Sequence, residues 1–400
     1  MSSNQNLKKS DHRVADLDGV RAIAIWMVLL LHVLFAFPNV PGALAFVPSP
    51  ILLVLSHGWL GVDLFFMLSG FLITGILIGS KHRSHYFRNF YIRRVLRIMP
   101  LYFATVIVWS ILYRGYGQYF LLSSVFGANL SWLLHIPQPH GPAVLWSLAI
   151  EEHFYLLWPL MVFLLNKRNL AIVTGAIFLL TPVIRAIAAA HGVNPELIYM
   201  LSWFRFDGLA AGALMAIWAR SSYASTRSSI RIASGLMAAC VLLTAIGAPF
   251  GLMGTKTLTS IALRYTQAYL FFGAFFVLVV AFRGSKWTAP LRWRFVQLSG
   301  ALSYCLYMVH LSVGDGYEYL LHRSGIPVVT LVGASGAVLV RAAAILGVSF
   351  GIALLSRKYL ENPALSLKDR FTEADALKPD AEAQIQLAVG AGAPAESSAE

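Results

Sequence analysis

Apolar runs separated by short polar segments fill the sequence from about residue 17 to residue 365. Most runs are about 20 residues long, which is the length that an α-helix needs to cross the hydrocarbon core of a bilayer. The alternation therefore predicts an all-α polytopic membrane protein, a bundle of about ten transmembrane helices. The predicted spans are 20–38, 58–79, 98–115, 146–166, 169–190, 201–219, 232–252, 260–282, 296–314 and 327–356.

Basic residues are distributed unevenly between the two sides of this bundle. If the N-terminus is cytoplasmic, the segments on the inner side carry most of the Lys and Arg residues. The outer loops then carry only Arg114, Lys256 and Arg323. By the positive-inside rule, we predict that both termini are cytoplasmic. The predicted regions are a cytoplasmic N-terminal arm at 1–16, a transmembrane domain at 17–365 and a disordered cytoplasmic tail at 366–400.

The composition excludes several classes of protein. Hydrophobic residues make up 58% of the chain and charged residues only 12%, about half of the charged fraction of a soluble domain. The net charge of +13 does not indicate nucleic-acid binding, because the basic residues form short clusters between apolar runs, as in membrane proteins. Neither a disulfide framework nor a metal site is expected, since Cys240 and Cys305 lie in separate apolar runs and the histidines lack ligand spacing.

The first apolar run, Leu17 to Phe37, has one arginine at its start, Arg21, and one histidine two thirds of the way along, His32. They are eleven residues apart, which on an α-helix is three turns plus about 20°, so both side chains lie on one face, about 16 Å apart along the axis. Ionisable groups within a bilayer are costly and usually mark a functional path. We therefore predict a guanidinium near one membrane surface and an imidazole beyond the midplane.

Other ionisable residues are predicted at the depth of His32. His32 lies about 18 Å above the inner boundary of its span, and Glu151 and Glu152 lie about 8 Å below the outer boundary of theirs. His310 in the ninth span reaches a similar level. Because Glu151 and Glu152 lie on different faces of one helix, we expect at most one of them to point fully into a site. Three helices thus bring imidazoles and a carboxylate to one depth, as a polar intramembrane site requires.

Six stretches occur in order along the membrane portion: LDGVRAIAIWMVLLLH, GWLGVDLFFMLSGFLIT, RNFYIRRVLRIMPLY, LWSLAIEEHFYLLWP, LSYCLYMVH and YLENP. In type and order they resemble the acyltransferase family 3 of integral membrane proteins, over about residues 15–365. Members of that family move acyl groups, most often acetyl, onto hydroxyls of surface polysaccharides, lipopolysaccharide, oligosaccharides or small natural products. The resemblance implies a cytoplasmic acyl-coenzyme A donor, an acceptor at or beyond the outer face, and a form without the fused SGNH domain of some members.

Acyl transfer to a hydroxyl needs a base that takes the proton of the attacking oxygen, and a neutral imidazole suits this task. His32 is the candidate base, and its place in the first-span motif of the family supports that role. Glu151 or Glu152 would orient its ring, as the acid of a triad does. His310 is a second catalytic residue, a substrate contact or a structural partner. The alternatives are a hydrogen-bonded core histidine at position 32 and carboxylates that brace their own helix.

The segment before the third span carries the predicted donor site. Arg93, Arg94 and Arg97 lie at the end of a loop at 80–97. Together with Arg21 they would hold the phosphates of coenzyme A at the inner mouth, because guanidinium groups bind phosphate bidentately. A water-lined passage would then let the thioester arm reach the first-span histidine. Retention of the loop on the inner side, or binding to anionic lipid headgroups, would explain the same basic residues.

We therefore expect a bacterial inner-membrane O-acyltransferase that passes an acyl group, acetyl by the family precedent, from acyl-CoA to a hydroxyl of a saccharide or glycolipid. Direct transfer and a transient acyl-histidine are equally compatible with the residues. The predicted acceptor contacts are Asp63, Trp146, Ser147, Arg205 and Asp207. Two other functions fit the same residues: a proton-coupled transporter or flippase that uses the buried Arg, Glu and His path, and a sensor whose arginine loop binds anionic lipids.

Overall fold

The computed structural model describes residues 2–36, 42–221, 227–252, 254 and 257–371 of the chain. Within these residues, nine helices are long and apolar enough to cross a bilayer, and a further apolar helix is shorter. The chain is thus an all-α multi-pass membrane protein, as predicted. The predicted tail beyond residue 371, the predicted end of the first span at 37–38 and the outer-loop Lys256 lie outside the described residues.

Each predicted span corresponds to one helix of the bundle. The helices are α1 (Ser2–Phe35), α2 (Leu60–Ser80), α3 (Tyr86–Leu112), α4 (Leu145–Leu164), α5 (Lys167–Ala190), α6 (Phe206–Trp218), α7 (Arg227–Gly247), α8 (Leu258–Ala281), α9 (Arg294–Ser324) and α10 (Val328–Ser356). Shorter helical segments connect them, among them Ser49–Ser56, Gly117–Ser124 and Pro195–Met200.

Helix α3 begins at Tyr86 rather than at residue 98. Arg93, Arg94 and Arg97 therefore lie within a helix and not in the predicted loop. The predicted span included only the apolar run. Arginine is nevertheless a good helix former, and its long side chain carries the charge away from an apolar stem. All three guanidinium groups therefore extend from one helix, α3.

Two other helices differ from the predicted spans. Helix α6 has only 13 residues, which is about 20 Å, because the extended residue Leu201 and a 3₁₀ turn at Ser202–Phe204 precede it. Helix α9 continues to Ser324, although its span was predicted to end at residue 314. The predicted span ended just before the acidic residue Asp315, but one charged residue alone does not end a helix.

Close packing of α2 against α6 depends on small residues. Gly70 of α2 faces the backbone of Leu209, and Gly212 of α6 faces the backbone of Met67. A Cβ atom at either glycine would clash with a carbonyl group. Small residues allow such close approach between membrane helices, where packing rather than water exclusion drives association.

Helices α1 and α9 lie side by side and run in the same direction. At one end the backbone of Asp18 lies against Gly300. At the other end the His32 ring lies against the His310 ring, with the ring centroids 5.0 Å apart. This parallel pair forms one wall of the site, with Arg21 near its lower end and the two histidines at its upper end.

Candidate active site

A cavity of about 220 Å³ lies between α1, α2, α3, α4 and α9. Its walls are mixed, since apolar side chains of α2 face charged and hydroxyl groups of the other helices. The polar lining residues are Arg21, Ser69, Arg94, Arg97, Ser147, Glu151, Glu152, Tyr155, Ser303, Tyr304 and Tyr307. Most of the residues that the sequence singled out on α1, α3 and α4 therefore share one cavity.

Three of the four arginines predicted to bind the donor line this cavity: Arg21, Arg94 and Arg97. Arg93 is not among the lining residues. Arg21 forms an ion pair with Asp18, one turn earlier on the same helix. The guanidinium of Arg94 lies over the ring of Tyr155, 5.6 Å from its centroid. Within the described residues, neither Arg94 nor Arg97 forms an ion pair, so both positive charges face the cavity without a carboxylate bound to them.

Glu151 and Glu152 both line the cavity, which corrects the expectation that at most one would. Ser69 donates a hydrogen bond of 2.9 Å to Glu151 Oε1, and Tyr155 donates one of 3.1 Å to Oε2. The Ser69 and Tyr155 hydroxyl oxygens are themselves 2.8 Å apart. In the part of the chain that the structure describes, no side chain donates a hydrogen bond to Glu152. The two adjacent carboxylates therefore differ: one is held in place, and the other is open to a ligand.

Neither carboxylate is the partner of His32, contrary to the predicted triad-like arrangement. Instead, His32 Nδ1 lies 2.9 Å from His310 Nε2. His310 Nδ1 lies 2.8 Å from the carbonyl oxygen of Tyr307 and 3.1 Å from that of Leu306. His310 of α9 thus orients the His32 imidazole. The predicted depths placed His310 of α9 and the carboxylates of α4 at the same level, so depth alone could not tell which of them contacts His32.

This hydrogen-bond chain determines the tautomers of two neutral rings. A carbonyl oxygen only accepts, so His310 Nδ1 must carry the proton that it donates to Tyr307 and Leu306. His310 Nε2 then has a lone pair and accepts the proton of His32 Nδ1. The remaining lone pair is on His32 Nε2. The pair therefore presents His32 Nε2 as a base or nucleophile, with the ring orientation set by His310.

Tyr307 lines the cavity and also lies close to His310 of the histidine pair. Neither histidine lines the cavity, whereas Tyr307 does. The Tyr307 ring centroid is 5.9 Å from that of His310, and its hydroxyl lies 2.7 Å from Ser147 Oγ. His310 is buried, whereas His32 is partly exposed. The cavity that contains the arginines therefore reaches Tyr307 but does not include His32.

Asp63, Arg205 and Asp207, which the sequence predicted as acceptor contacts, form internal ion pairs. Arg205 lies 2.5 Å from Asp63, and Arg185 lies 2.7 Å from Asp207, with all four side chains fully buried. None of them lines the cavity. Buried charges in a membrane bundle usually pair with one another, and these pairs tie α2, α5 and α6 together. Residue depth predicted their burial but not which neighbour they face.

Trp146 and Ser147, the other two predicted acceptor contacts, lie on opposite sides of the cavity wall. The Trp146 ring packs against Tyr199, with centroids 4.6 Å apart, and lies 5.8 Å from the Arg205 guanidinium. It is absent from the cavity lining, whereas Ser147 is part of it. Trp146 therefore connects the ion-pair region to the helix that carries Ser147.

Several cavity residues with hydroxyl groups were not predicted from the sequence, notably Ser69, Tyr155 and Tyr307. Helical spacing would have indicated two of them. Tyr155 follows Glu151 by four residues, and Tyr307 precedes His310 by three, so each shares a face with a predicted site residue. Ser69 is on a different helix, and no local signal connects it to Glu151.

Comparisons with known proteins give a consistent result. Residues 14–356 match the family model described as an acyltransferase domain, Acyl_transf_3. A putative peptidoglycan O-acetyltransferase of Bacillus subtilis, YrhL, is 28% identical over 345 residues, which cover 76% of this chain and 49% of YrhL. The peptidoglycan O-acetyltransferase OatA of Listeria monocytogenes is 34% identical over 230 residues, which cover 51% of this chain and 34% of OatA.

The lengths of these relatives differ from that of the chain. The chain spans about half of YrhL and about a third of OatA. An uncharacterized protein of Haemophilus influenzae is 31% identical over 181 residues, which cover 39% of this chain and 74% of that protein. No solved structure matches the chain.

Proposed function

The chain belongs to the acyltransferase family whose domain model matches residues 14–356, and from that premise we propose that it is a membrane O-acyltransferase. It moves an acyl group, acetyl in the simplest case, from cytoplasmic acyl-CoA to a hydroxyl of a saccharide or glycolipid on the other side of the bacterial inner membrane. The relatives YrhL and OatA are named for peptidoglycan. A peptidoglycan-type saccharide is therefore the first acceptor to test.

The main support for this proposal is the position of the arginines in the cavity and of the histidine pair beside it. Arg21, Arg94 and Arg97 line the cavity on α1 and α3, and His32 and His310 lie beyond Tyr307 on α1 and α9. Coenzyme A is a polyanion, and guanidinium groups bind phosphate through paired charge-assisted hydrogen bonds. Two guanidiniums that face a membrane cavity without a bound carboxylate need such a ligand to offset their burial.

The histidine pair supplies the chemistry. In direct transfer, His32 Nε2 takes the proton of the acceptor hydroxyl while that oxygen attacks the thioester carbonyl. The carbon–sulfur bond then breaks, and the imidazolium returns the proton to the departing thiolate. In a relay, His32 Nε2 attacks the thioester itself and carries the acyl group. Both routes require the acyl group to pass the Tyr307 side chain.

Surface glycans test the function directly. Cells with the gene, without it, and with a His32→Ala variant are compared by mass spectrometry of peptidoglycan and other surface saccharides. We expect an ester-linked acyl mass only with the unaltered protein, while the variant still inserts into the membrane. Glycans that are identical in all three strains, together with a change in transport of a substrate, would contradict the acyltransferase and favour the transporter.

A further inference from the structure

A pair formed by an imidazole and a carboxylate lies near the upper end of the bundle, outside the cavity. His140 precedes α4, and Asp315 lies on α9, five residues after His310, which is about 7.5 Å along the helix axis. His140 Nδ1 is 2.6 Å from Asp315 Oδ1. Asp315 Oδ2 accepts a hydrogen bond of 2.6 Å from the Tyr113 hydroxyl and one of 2.9 Å from the Gly141 backbone N–H.

The backbone beside His140 is fixed as firmly as its ring. A Cβ atom at position 141 would clash with Ser312 Oγ on α9 and with the Tyr113 hydroxyl at the end of α3. Only glycine allows the chain to approach the two helices this closely. The polypeptide and the Asp315 carboxylate thus position the imidazole together, although its side chain is half exposed, at 50%.

The His140 ring also lies near the histidine pair of the proposed active site. It is close enough to interact electrostatically with both His32 and His310. Asp315 is held by three donors, the adjacent residues His140 and Gly141 and the more distant Tyr113, which favours its charged form. An ionised carboxylate that binds one nitrogen of an imidazole sets the ring tautomer and stabilises the imidazolium, as the acid of a catalytic triad does.

We propose that His140, positioned by Asp315, is the base on the acceptor side of the reaction, so that His32 carries the acyl group and His140 activates the acceptor hydroxyl. This inference rests on the proposed function and selects the relay among its two routes. The acceptor is a saccharide hydroxyl that enters from the outer side, where the His140 side chain is exposed.

The proposed reaction has two steps. His32 Nε2 attacks the thioester carbonyl, the carbon–sulfur bond breaks, coenzyme A leaves as thiolate, and the Nδ1 proton of His32 passes to His310 Nε2. The acceptor oxygen then loses its proton to His140 and attacks the acyl carbon. The carbon–nitrogen bond to His32 breaks, and the proton returns from His310 to His32 Nδ1. His140 releases its proton to the outer solution, which completes the cycle.

Separate assays of the two steps test this assignment. The purified protein in lipid nanodiscs is given acetyl-CoA and isotope-labelled coenzyme A without acceptor, and label exchange reports the first step. Transfer to a soluble muropeptide or oligosaccharide reports the second. The variant is His140→Asn, whose amide preserves a donor at the Nδ1 position, and the matched control is His135→Asn, an exposed histidine in the same outer segment.

For His140→Asn we expect unchanged exchange and transfer reduced about 10²- to 10⁴-fold, the range for loss of a general base. His135→Asn retains both steps. Transfer at the unaltered rate in His140→Asn would overturn the inference while the proposed function stands. An equal loss of exchange and transfer, in a variant with unchanged thermal unfolding, would also overturn it. If the unaltered protein shows neither step with any acceptor, the proposed function itself fails.

The pH dependence of transfer separates a base from a merely structural histidine. Hydrogen bonding to Asp315 raises the pKa of His140, so the imidazole is protonated and inactive at low pH, and transfer rises as the pH passes that pKa. The groups around it are Asp315 and His310 on α9, Tyr113 at the end of α3 and His32 on α1. Asp315→Asn lowers the pKa of His140 and moves the rise to lower pH. An unchanged pH profile would contradict the role of His140.

Discussion

Two sets of ionisable residues lie within the bundle, and they differ in their partners. In the ion-pair region, Asp63 with Arg205 and Arg185 with Asp207 join helices at distances of 2.5 and 2.7 Å. Along the cavity, Arg94, Arg97 and Glu152 lack such partners within the described residues. Both sets carry charge at membrane depth. A charge that is paired inside the protein belongs to the packing of the helices, whereas a charge that faces a cavity is available to a ligand.

The ion-paired residues are also enclosed by aromatic side chains. Arg205 pairs with Asp63, and its guanidinium lies 4.0 Å from the Tyr265 ring centroid and 5.0 Å from that of Tyr199. The Tyr269 hydroxyl donates a hydrogen bond of 2.6 Å to Asp63 Oδ1. Aromatic side chains thus cover the pair, and neither side chain has accessible surface.

Removal of one member of the paired set should have the largest effect. Asp63→Ala leaves Arg205 charged, buried and unpaired, which costs about 3–5 kcal/mol of folding free energy. We expect a strong loss of folded protein in detergent, measured by thermal unfolding and size-exclusion chromatography. Glu196→Ala, at an exposed acidic residue, is the control and should change stability by less than about 0.5 kcal/mol. An Asp63→Ala protein of normal stability that lacks acyl transfer would reverse our assignment.

The histidine pair should show the opposite behaviour. His310→Ala removes the acceptor of the His32 Nδ1 proton and should reduce acyl transfer about 10²- to 10⁴-fold. Folding should be affected far less than in Asp63→Ala, because both rings are neutral. Transfer assays in nanodiscs and thermal unfolding of the same preparation measure both quantities. His191→Ala, at an exposed histidine after α5, is the control; a similar loss of transfer in both variants would refute the special role of His310.

The cavity arginines should affect donor binding. Arg94→Ala or Arg97→Ala removes a charged phosphate contact worth about 1.5–3 kcal/mol, so the KM for acetyl-CoA should rise about tenfold or more. Arg93→Ala, at a residue outside the cavity lining, should raise it less. Acetyl-pantetheine lacks the nucleotide phosphates and serves as the decisive donor: the variants and the unaltered protein should use it equally. A tenfold difference with that donor would exclude phosphate binding.

The smallest effect is expected within the cavity, between its two carboxylates. Glu151→Gln replaces an oxygen that accepts a hydrogen bond from Ser69 or Tyr155 by a donor, at a cost of about 1 kcal/mol. Glu152→Gln should leave stability unchanged, because no side chain is bound to that carboxylate in the described structure. Thermal unfolding of both variants measures the difference. Equal melting temperatures would show that the hydrogen bonds of Glu151 do not stabilise the bundle.

Much of the fold was predictable from local sequence. Run length and apolar composition predicted every helix of the bundle, because each span must satisfy its backbone hydrogen bonds internally and cover about 30 Å of hydrocarbon. The early start of α3 was missed, since hydropathy does not register a basic helix. Helix α6 was predicted to start at residue 201 rather than at Phe206, because its start depends on the turn at Ser202–Phe204.

For the functional residues, local sequence predicted which side chains share a helix face but not which side chains meet across helices. The sequence alone determined that Arg21 and His32 share a helix face, because helical periodicity relates residues eleven apart on one element. The partner of each charged group depends on the tertiary structure. His32 meets His310 and Asp63 meets Arg205 across separations of 278 and 142 residues. Helix rotation and packing set such contacts, and neither is encoded in the depth of a residue along its own span.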